Sequence, residues 1–177
     1  MTSEGALVDR SITRRMLVRH ALRDDAAQIA LIWQTGWHDG HDGNVPDDLS
    51  RHRRAAADFV PRVFNCLPRT RVAEDESGDL VHGFVVIDGD RIEQLYVLAA
   101  VRGIGIGRAL LRHAEQSIAR GGHPHARLAI VPGNTRARAI VEQAGWRDDG
   151  PVDYAADTTD GVVVIPSRQY VKNLPLA

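Results

Sequence analysis

The feature that most constrains this chain is Leu95-Tyr96-Val97-Leu98-Ala99-Ala100-Val101-Arg102-Gly103-Ile104-Gly105-Ile106-Gly107-Arg108, an apolar run that passes through three alternating glycines into a helical pattern. Glycines at alternate positions let a backbone approach a ligand closely and turn its N–H groups toward it. At a helix N-terminus those groups carry partial positive charge, so a phosphate or pyrophosphate is the expected guest, with a tight turn that holds no ligand as the other reading. Arg102 and Arg108 add charge at the rim. The dinucleotide fingerprint G-x-G-x-x-G is not met, because the spacing here is G-x-G-x-G and residue 108 is arginine. A P-loop is excluded, since no lysine follows the glycines.

Around this loop the hydrophobic period changes along the chain. Met16–Arg19 reads as a first strand, and Arg23-Asp24-Asp25 opens a helix with Ala26, Ile29, Ile32, Trp33 and Trp37 on one face, ended by the glycine-rich stretch after it. Pro46 starts a second helix carrying Leu49, Ala56, Phe59, Val60 and Val63, with a bend at Pro61. Thr70–Glu74, Leu80–Asp88 and Arg91–Leu98 are short apolar or alternating runs separated by turn residues, an antiparallel meander. A helix over Gly105–Arg120, a strand over Ala126–Val131 and a helix over Asn134–Ala144 follow, with Val162–Ile165 and Arg168–Val171 as last strands. The first fifteen residues read as a flexible tail, and residues 16–177 as one α+β domain.

A net charge of −1 over 177 residues gives no whole-protein attraction to nucleic acid or to an anionic membrane. Cys66 is the only cysteine, so neither an intrachain disulfide nor a cysteine-rich zinc module can form. With no apolar run of signal-peptide or membrane-spanning length, the expected location is the cytoplasm.

Two blocks carry a resemblance to a known family. Arg102-x-x-Gly105-x-Gly107 resembles the [Arg/Gln]-x-x-Gly-x-[Gly/Ala] signature of the GNAT superfamily, the acyl-CoA-dependent N-acetyltransferases. Asn134 to Trp146 resembles that family's Asn-x-x-Ala-x-x-[aromatic/Leu]-Tyr-x-x-x-Gly-[Phe/Trp] block. The resemblance covers about residues 16 to 172. It implies a GNAT fold: a central mixed, largely antiparallel twisted sheet of about seven strands, splayed between the fourth and fifth, flanked by about four helices.

The same resemblance implies acetyl-CoA as co-substrate and a primary amine of a small molecule or peptide as acceptor, with no metal. Main-chain groups of Leu95, Tyr96 and Val97 would pair with the pantetheine arm. The N–H groups of Arg102, Gly103, Ile104, Gly105, Ile106, Gly107 and Arg108 would hold the pyrophosphate. Asn134 is expected to cap its helix, to bond the pantetheine region, or both. Dimers are frequent in the superfamily, which makes a homodimer an expectation by analogy.

Amine attack on a thioester needs a deprotonated amine, a polarised carbonyl and a protonated leaving thiolate. Glu93 is the first candidate base; the other reading is a solvent-facing or salt-bridged strand residue. His82 is a second candidate base, with a structural histidine as its other reading. The family's tyrosine acid falls at Val141, which cannot donate a proton. Three readings stand: water protonates the thiolate, Tyr154 or another hydroxyl reaches in from the tail, or the protein is an acyl-CoA-binding regulatory module with little turnover.

Gly36-Trp37-His38-Asp39-Gly40-His41-Asp42-Gly43-Asn44-Val45-Pro46 concentrates polar groups in what reads as a loop. A metal site needs three or four ligands in fixed geometry, which its two histidines alone do not supply, and a solvated loop with no role is the plain alternative. Trp33-x-x-x-Trp37-x-x-x-His41-x-Gly43-x-Val45-Pro46 resembles a superfamily variant that lies at the acceptor mouth. On that resemblance Trp37, Asp39, His41 and Asp42 are expected to meet the acceptor. The aspartates would attract a cationic amine, and His41 would relay its proton near neutral pH.

Overall fold

The computed structural model describes residues 16–175, so the tail expected over residues 1–15 lies outside the described residues. Strand β1 (Leu17–His20) leads into helices α1 (Ala26–His41), α2 (Asp47–Arg51) and α3 (Ala56–Cys66). Strands β2 (Thr70–Glu74), β3 (Val81–Asp88) and β4 (Arg91–Val97) form the meander. Helix α4 (Ile106–Arg120), strand β5 (His125–Ile130), helix α5 (Thr135–Gln143), and strands β6 (Arg147–Thr158) and β7 (Gly161–Asn173) complete the chain. The seven strands make one sheet in the order β1-β2-β3-β4-β5-β7-β6, antiparallel except where β4 meets β5. This is the α+β architecture expected from the resemblance, with a mixed, largely antiparallel sheet of seven strands. No helix of the described residues is long and apolar enough to cross a membrane.

Two apolar layers sandwich the sheet. On one face α1–α3 bring Ile29, Trp33, Phe59 and Val63 onto Phe84 and Val86, and Trp33 packs within 5.7 Å of the Phe59 ring and 5.4 Å of Phe84. On the other, α4 sets Ile106, Leu110, Ala114 and Ile118 against Val85, Ala126, Leu128 and Tyr170. The i, i+4 recurrence of those α4 residues makes one buried stripe, which is what fixes the helix against the sheet.

Three expectations need correction. First, α1 does not stop at the start of the glycine-rich stretch; it runs through Gly36 and Gly40 and ends inside the stretch at His41, just before Gly43 at a φ of +75°. Glycine inside a helix costs roughly 1 kcal/mol relative to alanine. The reason here is space. A Cβ on Gly36 would lie 2.5 Å from Tyr96 Cδ1, and one on Gly40 would lie 2.5 Å from Asn134 Nδ2. Second, the helix expected from Pro46 is two helices. Ala55 is extended, and the Asp58 carboxylate accepts from the N–H groups of Arg54 and Ala55 to found a new N-terminus for α3. Third, the two short tail runs are one continuous strand, β7, paired along its length with β6, which had not been expected. Residues 147–158 hold four aspartates, a glycine and a proline. They make a strand because β6 is at the sheet's edge, where missing donors and polar faces are tolerated.

Two irregularities shape the centre. Val86 pairs with Gln94 and Ile87 with Ile92, leaving Glu93 as the extra residue of a β-bulge. Between β4 and β5 the only register pair is Arg91 with Arg127, after which the strands part. The edge of β4 facing β5 is therefore unpaired along Leu95–Val97.

Candidate active site

The gap between β4 and β5 opens into a cleft of about 620 Å³, lined from the start of α4, through the strand gap, to α1, α3 and β6 on the other face. That volume suits a substantial ligand.

At one end stands the glycine loop. Gly103 and Gly105 hold φ of +86° and +99°, values that only glycine adopts without strain. Gly105 is the N-cap of α4 and no side chain caps that helix, so its first N–H groups are left to a guest. Among the residues expected to hold a phosphate, Arg102, Gly103, Ile106 and Gly107 line the cleft, as do Leu95, Tyr96, Val97 and Asn134. Ile104 is exposed, and Arg108 turns to α5, donating to Gln143 Oε1 at 3.0 Å. The Asn134 side chain accepts from Ala137 N at 3.1 Å, which makes it the cap of α5.

The groups expected at the acceptor end divide. Asp39 pairs with Arg102 at 2.7 Å, and Arg102 also donates through Nε to the Val97 carbonyl. Asp39 thus braces the glycine loop from α1. Asp42 pairs with His38 at 2.9 Å beside a shallow surface hollow away from the cleft. Neither aspartate lines the cleft. Trp37 and His41 do, with their rings stacked at 5.0 Å and 2°. His41 Nδ1 faces the Trp37 carbonyl at 2.9 Å, so that nitrogen carries the proton. Burial above all, opposed by that hydrogen bond, pushes the His41 pKa down to about 4. A histidine this weakly basic is neutral at pH 7, contrary to the expected relay near neutrality.

Glu93 and Tyr154 both line the cleft. Strict alternation would group Glu93 with Leu95 and Val97, which pack with the α4 layer. The bulge breaks that alternation, and the Glu93 charge is felt by Cys66 and Tyr154 on the opposite face. Tyr154 reaches in from β6 and accepts from Gln94 Nε2 at 3.3 Å. Burial, with Glu93 second, holds its phenol above the usual tyrosine pKa. Val141 is buried in the α4 layer. His82 is buried on β3 with Nε2 3.6 Å from Asp75, and does not line the cleft. Among the described residues no group of three or more metal-ligating side chains occurs.

Sequence reasoning missed Arg53, Arg62 and Gln94. Gln94 was legible as the neighbour of Glu93 once a bulge is allowed. Arg53 and Arg62 carry no local signal, since arginine is scattered throughout this chain.

Residues 67–148 match the family described as acetyltransferase (GNAT) domain. No protein of curated function matches the chain by sequence. Among solved structures, a GCN5-related N-acetyltransferase from Kribbella flavida superposes with a TM-score of 0.67 at 24% identity, over 90% of this chain and 98% of that one. YjaB from Escherichia coli, in its apo form, gives 0.65 at 20% identity over 89% and 97%. The PaiA N-acetyltransferase from Thermoplasma acidophilum, in complex with coenzyme A, gives 0.61 at 15% identity over 90% and 99%.

Proposed function

For this chain, which belongs to the GNAT superfamily of acetyltransferases, we propose an acetyl-CoA-dependent N-acetyltransferase acting on a primary amine of a small molecule or peptide. The observation that carries this reading is the continuity of the cleft. Uncapped N–H groups at α4, an unpaired strand edge at Leu95–Val97, and the Glu93 carboxylate and Tyr154 phenol lie along one channel. A pyrophosphate, an amide-bearing arm and a reacting thioester present those three needs in that order.

Acetyl-CoA would supply the acyl group as an activated thioester. The remaining work falls to this chain. The α4 N-terminus neutralises phosphate charge. The free edge of β4 orients the arm, and a backbone N–H near Leu95 polarises the carbonyl. Glu93 accepts the proton released by the attacking amine, directly or through water. As the C–N bond forms and the C–S bond breaks, the departing sulfur takes up one proton. Tyr154 is its donor: burial keeps the phenol protonated at neutral pH, and Gln94 fixes the oxygen. His41, neutral and stacked on Trp37, forms a wall of the acceptor pocket rather than a base.

A second reading, an acyl-CoA-binding module with little turnover, is favoured by one observation: Val141 occupies the family's tyrosine position and is buried. One experiment separates the two. Acetyl-CoA should raise the melting temperature, and free thiol should then appear with at least one amine of a broad panel. A shift without thiol release would favour the module, and no shift would overturn the cofactor assignment.

A further inference from the structure

We propose that Arg53 and Arg62 form a subsite for a carboxylate on the acceptor, so that the acceptors are amines that also bear an acid, amino acids foremost. This rests on the acetyl-transfer reading and narrows it.

Arg53 comes from the break between α2 and α3 and is 8% exposed, with its guanidinium 5.2 Å over the Trp37 ring. Among the described residues its side chain makes one hydrogen bond, a long one of 3.4 Å from Nη2 to the Asp157 carbonyl, and its buried Nε has no partner. Arg62, from α3, donates to that same carbonyl at 2.7 Å, and its Nε is likewise buried and unpartnered. Two guanidinium groups thus converge on a single neutral oxygen at the wall of the cleft.

Among the described residues neither arginine forms an ion pair, whereas Arg19, elsewhere in the fold, is held by both Asp25 and Glu74. Burial first, then the Arg62 charge, drags the Arg53 pKa down to about 10. The carboxylate of Asp157 acts on Arg53 less than burial and the charges of Arg62, Tyr96 and Tyr154 do. A buried charge without a counter-ion is strongly unfavourable, and the penalty is relieved when an anion enters. Planar guanidinium groups with free N–H edges suit a carboxylate. A purely cationic acceptor, such as a polyamine, would be repelled here, and Asp39 and Asp42, expected to attract one, lie outside the cleft.

The test pairs each L-amino acid and ω-amino acid with its primary carboxamide, which keeps the amine and removes the charge. Thiol release from acetyl-CoA should favour an acid over its amide by at least 100-fold in kcat/KM. In Arg62→Gln that ratio should collapse toward one while the Kd for acetyl-CoA is unchanged. Arg62 is less buried than Arg53, so this variant tests the subsite even where Arg53→Gln fails to fold. Binding gives a readout independent of turnover: N-acetylated amino acids should raise the melting temperature of the wild type, and not of Arg62→Gln. Amides equal to or better than acids, no stabilisation by any N-acetyl acid, or a tenfold weaker acetyl-CoA Kd in Arg62→Gln would each overturn the subsite. Stabilisation by acids without thiol release from any amine would leave the subsite standing and overturn the transfer reading.

Discussion

The two ends of the cleft recognise their guests by different means. The end at α4 relies on backbone: glycines at positive φ, uncapped N–H groups and an unpaired strand edge, nearly all within residues 95–108. The end between α1, α3 and β6 relies on side chains: Trp37, His41, Arg53, Arg62, Glu93 and Tyr154 converge from four separate elements and the loop before α3. Backbone recognition depends on local conformation and tolerates side-chain change, whereas side-chain recognition depends on long-range packing and does not. Substitutions should therefore divide by end, one class altering acetyl-CoA affinity and the other altering turnover or acceptor choice.

The sharpest division is expected at Tyr154. Tyr154→Phe removes only the hydroxyl, and loss of a general acid costs on the order of 10²-fold in rate. Steady-state kinetics with any active acceptor should show kcat lowered by about that factor with KM for acetyl-CoA unchanged. An unaltered kcat would pass protonation of the thiolate to water.

His41 offers the next test, through stability. Its folded pKa of about 4 lies below the ordinary 6.5, so between those values the unfolded chain binds the proton more readily. The stability contributed is therefore present above pH 6.5 and is lost as pH falls toward 4. A shift of this size corresponds to about 3 kcal/mol. His41→Phe keeps a ring on Trp37 and abolishes the titration. Urea unfolding at pH 7 and pH 4.5 should show the wild type losing about 2–3 kcal/mol more than the variant. Equal losses would mean that the imidazole is solvated.

The same contrast explains what could be read from the chain alone. The glycine loop, the meander and α5 were legible because their signals are local: period, turn residues and two contiguous motifs. The acceptor end was misread at Asp39 and Asp42. A pair of acids beside histidines looks like a substrate site until Arg102 and His38 are seen to hold them. A stretch rich in glycine reads as a helix end, because glycine usually is one, yet Gly36 and Gly40 lie inside α1. The competing cause, a Tyr96 ring and an Asn134 amide pressed against those positions, lies about sixty and ninety residues away in sequence. β6 was missed because its polarity suits an edge, and nothing in its residues says that an edge is where it lies.

Glycines at the two ends should also fail differently. Gly36→Ala gains roughly 1 kcal/mol of helix propensity but sets a Cβ 2.5 Å from the Tyr96 ring, and overpacking costs about 1–3 kcal/mol. The net expectation is a loss of about 1 kcal/mol with acceptor KM raised and acetyl-CoA affinity kept. Gly103→Ala meets no atom within 4 Å, yet its φ of +86° costs an L-residue about 1–2 kcal/mol. That variant should weaken acetyl-CoA binding and leave acceptor preference alone. Calorimetric titration with acetyl-CoA and acceptor kinetics on both variants would check the pattern, and a swap of the two phenotypes would break the division.

The smallest effect belongs to the ion pair that joins the ends. Asp39 is 42% exposed in its pair with Arg102, so its contribution to stability is at most about 1 kcal/mol. Its charge matters more than its bond, because it is a carboxylate standing beside a site built for an anion. In Asp39→Asn the Arg102 side chain is still held by its Nε bond to the Val97 carbonyl, so its direction is retained while the local potential becomes more positive. The Kd for acetyl-CoA should fall two- to threefold at low ionic strength, on the order of 0.5 kcal/mol. The difference should disappear near 1 M salt, where the screening length is about 3 Å. A Kd that instead rises, and stays raised in salt, would show that Asp39 acts by orienting Arg102, and would make α1 part of the cofactor end as well as the acceptor end.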